Sequence, residues 1–203
     1  MKKIYALTLG VLVVLATWGC EPKGEQVIQA SLSAYIDSYN MRNPEEWINI
    51  VHPLCYDGRA TALMTYYENK PKSLQYEQAK LVKRSGFVSH GDTLITLLKV
   101  KIRAYEDTEN QNIYQLATSL RTHKVSYGER NVTYAKEEAR VWIESLVPFL
   151  AISEDAGNSW KLVPDLKEEL LQNIPLNAGV RYKLNEFYQQ EFNHQLYKQT
   201  AGL

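Results

Sequence analysis

Two side chains in the N-terminal third of the chain are candidates for acid/base chemistry. Asp37 lies within a helical stretch, and His52 immediately precedes Pro53. In an enclosed apolar cavity they could act as a general acid/base pair, because burial shifts the pKa values of such groups toward neutrality. The alternative is structural, with Asp37 as a solvated or capping group and His52 as a helix-end residue. Nothing in the spacing brings the two side chains together, so the sequence favours the structural roles.

The segment His52-Pro53-Leu54-Cys55 also offers two side chains that can bind a metal. A zinc site needs three or four ligands, and the other histidines are scattered along the chain at His90, His123 and His194. We therefore predict no metal site and expect Cys55 to be a small buried apolar side chain. A glycine-rich phosphate loop, a serine nucleophile elbow and a dinucleotide fingerprint are all missing from the sequence, and we predict no cofactor.

Aromatic side chains are the candidates for binding an apolar ligand. At helical and strand spacing most aromatic residues belong to a hydrophobic core, so the same residues also fit a purely structural role. The candidate pocket residues are Tyr35, Tyr39, Trp47, Tyr56, Tyr66, Tyr67 and Trp142.

One short motif concerns covalent modification. Asp92-Thr93-Leu94 resembles the Asp-Ser/Thr-apolar sites of O-glycosylation in bacterial envelope proteins, and it lies at a predicted turn. Thr93 is therefore a candidate glycosylation site. Such tripeptides also arise by chance.

The N-terminus has the order of parts found in a secretory signal peptide. Lys2 and Lys3 precede a 16-residue run without charge at 4–19, and Cys20 closes it. The run is short for a membrane-spanning helix, which needs about 20 residues. Residues 16–20 (ATWGC) resemble a lipobox, which implies cleavage after Gly19 and lipidation of Cys20. The alternatives are an ordinary secretory signal and an uncleaved membrane anchor.

The lipobox departs from the common pattern at two positions, because Thr17 stands where leucine is favoured and Trp18 is bulky. The second cysteine, Cys55, supports lipidation indirectly. If Cys20 carries lipid, Cys55 has no partner within the chain, and the fold relies on its core rather than on disulfides.

Composition limits the choice of partners. The chain has 203 residues, with 23 basic and 23 acidic side chains. Removing residues 1–19 takes away Lys2 and Lys3, which leaves 21 basic against 23 acidic groups and a net charge near −2. Nucleic-acid binding and electrostatic attraction to a membrane both need a concentrated basic surface, so we expect neither.

Hydrophobic periodicity predicts an α+β order of elements. Helices are expected at 26–41, from Pro44 to before Pro53 with Asn43 as the cap, and at 59–68, 111–122, 165–173 and 178–199. Strands are expected at 74–89, 93–106, 138–153 and 160–163, with turns at 90–92 and 154–158. In the second strand, residues 98, 100, 102 and 104 should face a dry side and residues 99, 101 and 103 a wet side. Pro148 argues for an edge position or a bulge.

Helices followed by long antiparallel strands resemble the nuclear-transport-factor-like (SnoaL-like, cystatin-like) cone. The residues that carry the resemblance are Asn43-Pro44-Glu45-Glu46-Trp47, His52-Pro53 and 155–163 (DAGNSWKLV). The resemblance implies N-terminal helices packed in a curved antiparallel sheet, with an extra C-terminal helix. The expected organisation is a signal peptide at 1–19, a lipidated tether at 20–25, a cone-like domain at 26–175 and a helical extension at 176–203.

The cone superfamily holds isomerases, dehydratases, ligand binders and modules without chemistry, so fold alone decides little. We expect a non-catalytic module anchored in the cell envelope, at the outer membrane. It would bind a small apolar ligand or a partner protein, and it could form a homodimer. The alternative is a small isomerase or dehydratase that uses Asp37 and His52.

Overall fold

A computed structural model describes residues 23–55, 73–164, 166 and 176–193. In these residues the chain forms an α+β fold with a six-stranded antiparallel sheet and four α-helices. The helices are α1 (Lys23–Asn40), α2 (Pro44–Ile50), α3 (Ile113–Tyr127) and α4 (Ala178–Tyr188). The strands are β1 (Leu74–Arg84), β2 (Val88–His90), β3 (Thr93–Asp107), β4 (Val132–Ala135), β5 (Arg140–Ser153) and β6 (Lys161–Val163). The helix predicted at 59–68 lies outside the described residues. Of the helix predicted at 165–173, only residue 166 is described.

The centre of the sheet is the pair β3–β5. The strands run in the order β1-β3-β5-β4, with β2 paired to the start of β3 and β6 paired to the end of β5. The register runs from Leu94↔Ser153 to Asp107↔Arg140 without a shift. Every other element packs on this pair or extends it sideways.

Local capping signals explain where the helices begin. The Asn43 side chain accepts from the backbone N–H groups of Glu45 and Glu46, and Pro44 is the first residue of α2, as predicted. Asn112 and Gln115 form a capping box that starts α3. That helix runs on to Tyr127, beyond the predicted end at 122, and stops at Gly128 with φ +90°.

The first helix begins earlier than predicted. It starts at Lys23, so residues 23–25, which we assigned to the tether, belong to α1. Glu25 pairs with Arg84 of β1 at 2.8 Å, which ties the first turn of the helix to the sheet.

The two faces of the sheet differ in what covers them. On the inner face, Leu98, Val100 and Ile102 are buried against α1 and α2, and Ala104 is buried beneath α3. On the opposite, outer face, Lys99, Lys101 and Arg103 are less buried. This alternation confirms the predicted dry and wet sides of the second strand.

The outer face is not exposed along the whole of β3, however. At the start of β3, Ile95 and Leu97 of the outer face are buried beneath α4. The sequence signals this cover, because Leu94, Ile95, Leu97 and Leu98 form a nearly continuous apolar run, which is typical of a strand buried on both faces. The apolar side of the last helix is also buried. Its described members are Val180, Leu184, Phe187 and Phe192, with Tyr188 partly buried.

A short π-helical turn (Gln189–Asn193) follows α4. Its Glu191 pairs with Lys99 at 3.1 Å and with Lys83, two lysines of the outer face. These pairs fasten the end of the described C-terminal segment to β1 and β3.

Pro148 lies in a central strand, yet at a local edge. It pairs with Lys99 of β3 in an unbroken register, so there is no bulge between the two strands. On its other side β5 pairs with β4 only over residues 140–143 and with β6 only over 150–152. The Pro148 carbonyl points into this gap and accepts from the Leu166 N–H at 2.9 Å. Because a proline has no N–H, it fits a position where no neighbouring strand would accept a backbone hydrogen bond from it.

Two amide side chains of α1 close the free edge of β1. Gln29 donates to the Ala79 carbonyl at 2.8 Å and accepts from the Leu81 N–H at 2.9 Å. Asn40 donates to the Tyr76 carbonyl at 2.6 Å and accepts from the same residue's N–H at 3.0 Å. The two amides are eleven residues apart, about three helical turns, so they lie on the same side of α1. They replace the missing neighbouring strand, which protects this edge from pairing with another chain.

We predict that Gln29→Met lowers the free energy of unfolding by about 1–2 kcal/mol, because it removes both hydrogen bonds while keeping the side-chain size. Urea denaturation measures the change. The matched control is Ser33→Ala on the exposed side of the same helix, which should change the stability by less than about 0.5 kcal/mol. Equal stability of the two variants would show that the edge does not depend on Gln29.

Candidate functional site

The histidine singled out in the sequence is held between α2 and the last strand. Val51, the residue after α2, forms a parallel bridge with Leu162 of β6. The His52 N–H donates to the Leu162 carbonyl at 2.9 Å. The ring is mostly buried, and its Nδ1 accepts from the Leu54 N–H at 3.2 Å. A neutral ring with Nδ1 as acceptor carries its proton on Nε2.

His52 borders an open recess of about 200 Å³. Its Nε2 lies 3.9 Å from Oε1 of the exposed Glu154. Burial lowers the pKa of His52, Glu154 raises it and Lys161 lowers it, and the net direction is downward. The ring is thus held neutral near pH 7. The lining residues are His52, Ile152, Glu154, Asp155, Ser159 and Lys161.

Asp155 in this recess is part of the turn that joins β5 to β6. Its carboxylate accepts from the Ser159 hydroxyl at 2.6 Å, from the Ser159 N–H at 2.9 Å and from the Ser153 hydroxyl at 2.8 Å. The hydrogen bonds from Ser159 and Ser153 lower the pKa of Asp155 to about 2. A carboxylate that is this acidic and this well supplied with donors stabilises the turn and is a poor base.

The recess does not bring together Asp37 and His52, the acid/base pair considered from the sequence. Asp37 lies exposed on α1, and the carboxylate beside His52 is that of Glu154. Since His52 presents an Nε2–H and its Nδ1 is occupied, the ring is arranged to donate a hydrogen bond. The geometry suits binding of a polar group at the surface better than proton abstraction.

The aromatic candidates separate into two groups. Tyr35 stacks on Trp47 at 5.7 Å and meets the Phe149 ring edge-on at 5.6 Å, and all three are buried in the core under α1. Tyr39 is buried against Tyr76 at 4.5 Å. Trp142 lies instead on the outer face, away from this core. Tyr56, Tyr66 and Tyr67 lie outside the described residues.

Trp142 belongs to a patch that we call the distal outer face, which is the part of the outer face not covered by α4. The Trp142 ring centroid lies 5.1 Å from the Tyr105 ring centroid, and the Arg103 guanidinium lies 4.1 Å from the Trp142 ring. Arg140 lies 4.2 Å from the Tyr105 ring. The patch consists of Lys101, Arg103 and Tyr105 of β3 and Arg140, Trp142, Glu144 and Leu146 of β5.

Charges of both signs alternate across the distal outer face. Lys101 pairs with Glu144 at 2.7 Å, and Arg103 pairs with Glu77 of β1 at 3.1 Å. Arg140 pairs with Asp107 at 2.9 Å. These pairs leave the surface without a strong field of one sign, while the arginines and aromatic rings remain partly exposed.

A second polar cluster is buried between β3 and α3. Glu106 faces inward, and its Oε2 accepts from the Ser119 hydroxyl and from His123 Nε2 at 2.7 Å. Its Oε1 accepts from Gln111 at 3.1 Å. Burial raises the pKa of Glu106, but the hydrogen bonds from Ser119, His123 and Gln111 outweigh it and hold the pKa below its usual value. Serine and histidine both bond to the carboxylate and not to each other, so the arrangement is a buried anchor for α3 and not a nucleophilic relay.

We did not predict this cluster from the sequence, although the alternation of residues along β3 indicates it. The alternation that places residues 98–104 on the dry side puts Glu106 on that side too. A glutamate on a dry face requires partners. Ser119 and His123 are four residues apart and therefore share one side of a helix.

Among the described residues, no three His, Cys, Asp or Glu side chains are close enough to hold a metal ion. Cys55 is half-buried in a short 3₁₀ turn, with its Sγ 4.0 Å from the Leu162 carbonyl. Thr93 is half-exposed at the start of β3, where it pairs with His90 next to the turn at Gly91 and Asp92.

Compared with known proteins, the chain matches no family model, no curated protein and no solved structure.

We predict that Glu106→Gln lowers the free energy of unfolding by about 1–3 kcal/mol at pH 7, because Ser119 and His123 lose a charged acceptor. The matched control is Glu109→Gln, an exposed glutamate in the connection between β3 and α3, which should change the stability by less than about 0.5 kcal/mol.

The same carboxylate makes stability depend on pH. Since its folded pKa lies below its unfolded value, Glu106 contributes stability above the unfolded pKa, near 4.5, and loses it as the pH falls through the folded pKa. Urea midpoints measured between pH 7 and pH 3 should fall more steeply for the wild type than for Glu106→Gln. Parallel pH profiles would contradict this role.

Proposed function

We propose that this chain is a lipid-anchored, non-catalytic module of the bacterial cell envelope that acts by binding a partner protein at its surface. The anchor is Cys20, exposed as the N-terminus when the leader 1–19 is removed, and the membrane is the outer membrane. The support for the anchor is the order of charge, apolar run and cysteine in residues 1–20. Several acyl chains hold a protein stably, since each buried CH₂ contributes about 0.8 kcal/mol.

No helix among the described residues has the length and apolarity needed to cross a bilayer.

We further propose that the domain is a member of the cone superfamily. Three features support this assignment. The helices α1 and α2 pack on the inner face of an antiparallel sheet. The two longest strands are neighbours at its centre. A short strand, β6, bridges back to the end of α2 through Val51 and Leu162.

The observation that carries the proposed mode of action is the aromatic packing of the described core residues beneath α1. In a cone that binds a small molecule, this space is the pocket. Here Tyr35, Trp47 and Phe149 occupy it with contacts between their rings, and their exposed fractions are 2%, 0% and 0%. A ligand would have to displace well-packed aromatic side chains. Binding at the surface requires no such rearrangement.

The distal outer face is the surface that we assign to the partner. It combines Trp142, Tyr105, Arg103 and Arg140, and tryptophan, tyrosine and arginine are the residue types enriched where interfaces bind most strongly. The rings are held rigidly by stacking, so little side-chain entropy is lost when a partner covers them.

Catalysis by an isomerase or dehydratase is less well supported. Such an enzyme needs a base with a free lone pair in a water-excluding pocket. His52 presents an N–H to an open recess, its acidic neighbour Glu154 is exposed, and Asp37 lies on the surface of α1.

We predict that Cys20→Ser moves the protein from the membrane fraction to the soluble fraction and abolishes incorporation of an alkyne-labelled fatty acid. The matched control is Cys55→Ser, which removes the other thiol and should leave both membrane association and labelling unchanged. Labelling of the Cys20→Ser protein would refute the anchor.

The partner surface is tested by photo-crosslinking in intact cells. A photoreactive amino acid at Leu146, on the distal outer face, should give a discrete cross-linked product, whereas the same amino acid at Val125, which is 81% exposed on α3, should not. Mass spectrometry of the product distinguishes a different envelope protein from a second copy of this chain. Absence of a product at Leu146, or equal products at both positions, would contradict the assignment.

A further inference from the structure

The place where α1 begins limits how the domain can sit on a membrane. Only Glu21 and Pro22 separate Cys20 from Lys23, the first residue of the helix. Even a fully extended chain spans at most about 11 Å between the Cα atoms of residues 20 and 23. If Cys20 carries lipid, the start of α1 is held within about that distance of the acyl chains.

The start of α1 coincides with one end of the sheet, which we call the proximal end. A Cβ atom added to Gly24 would lie 2.9 Å from the Phe87 ring, and Glu25 pairs with Arg84. The Ser31 hydroxyl donates to the Trp160 carbonyl at 3.1 Å. The proximal end therefore consists of Phe87, the turn at Gly91 and Asp92, and the turn at 154–158.

The opposite end of the sheet is far from the anchor. From Thr93 to Asp107, β3 rises by roughly 48 Å at about 3.4 Å per residue. The Lys136–Ala139 turn between β4 and β5 and the distal outer face lie toward that end.

We propose that the proximal end rests on the lipid headgroups of the membrane that carries the anchor, so that the sheet stands away from the bilayer with its distal outer face directed outward. This orientation rests on the lipidation of Cys20 proposed above. It deepens that proposal, because it places the partner surface where a second protein can approach it.

The side chains at the proximal end fit a zwitterionic headgroup surface. Phe87 is 38% exposed. Its ring stacks on Trp160 at 5.4 Å, and the Arg84 guanidinium lies 4.1 Å from it. These contacts hold an aromatic ring at the surface of the proximal end. An exposed phenylalanine can enter the boundary between the headgroups and the acyl chains. The exposed carboxylates Asp92, Glu154 and Asp155 give this end no basic excess that would attract anionic lipids.

The distal outer face fits the bilayer less well. Lying on the distal outer face would bring the ion pairs of Lys101, Arg103 and Arg140 against the membrane. The charged groups of these pairs would lose part of their hydration, and the face lies toward the end of β3 opposite to the start of α1.

The orientation is tested with two exposed acidic turn residues at opposite ends, Asp92 and Glu137. In a mature chain that begins at Cys20 and carries Cys55→Ser, Cys20 is coupled to a maleimide phospholipid, and a fluorescent amino acid replaces either residue. The protein is bound to phosphatidylcholine vesicles that contain a headgroup quencher. Quenching at position 92 should exceed quenching at position 137 at least threefold.

Equal quenching at both positions, or stronger quenching at position 137, would overturn the proposed orientation. Replacing part of the phosphatidylcholine by phosphatidylglycerol should not strengthen quenching at position 92, and a marked increase would refute the zwitterionic fit. Inserting 20 Gly/Ser residues after Pro22 should reduce the difference between the two positions, because a flexible linker of that length has a root-mean-square span of roughly 25 Å. An unchanged difference would show that the short connection does not set the orientation.

The chemical coupling makes this result independent of whether cells lipidate Cys20. Failure of the anchor in cells is detected by the fatty-acid labelling of Cys20→Ser and the wild type. Failure of the orientation is detected by the quenching ratio alone.

Discussion

The long β3–β5 pair is the constraint on which the rest of the molecule depends. Its register is unbroken from Leu94↔Ser153 to Asp107↔Arg140, so side-chain direction alternates strictly over the whole length. One face is buried and mostly apolar, and it receives α1, α2 and α3. A shift of one residue would turn Leu98, Val100 and Ile102 toward solvent, which makes this register strongly favoured.

The outer face of the same pair has a covered half and an open half. Near the start of β3, Ile95 and Leu97 are covered by α4, and Glu191 ties the following turn to Lys99. Toward the other end no described helix covers the face, and Arg103, Trp142, Tyr105 and Arg140 form a stacked layer. The covered half lies toward the start of α1, where we propose the anchor, and the open half lies away from it. The proposed partner surface and the proposed membrane surface are thus opposite ends of one rigid pair of strands.

Elements that depend on local chemistry were predictable from the sequence. Asn43 and Pro44 specify the start of α2 through neighbouring N–H groups, and the alternation of residues 98–104 specifies which side of β3 is buried. The turn at 154–158 follows from its own glycine, asparagine and acidic residues. In each case the residues that decide the structure lie within a few positions of one another.

Contacts between distant segments were not predictable in the same way. Gln29 caps backbone groups of Ala79 and Leu81, and periodicity along α1 contains no information about the edge of β1. The carboxylate next to His52 is Glu154, which only the bridge between Val51 and Leu162 brings near. Glu106 and His123 meet because α3 folds back on the strand that precedes it. The sequence therefore showed which residues could form the candidate site, but not which side chains contact one another.

Intact-mass spectrometry of the protein extracted from membranes is the decisive measurement, because the proposed location and orientation both depend on Cys20. We expect a chain that begins at Cys20 and carries a diacylglyceryl group with or without a third acyl chain. The same spectrum reports any glycan on Thr93 as a further mass increment. A chain that retains residues 1–19, or one that begins elsewhere or has an unmodified Cys20, would refute lipidation at Cys20.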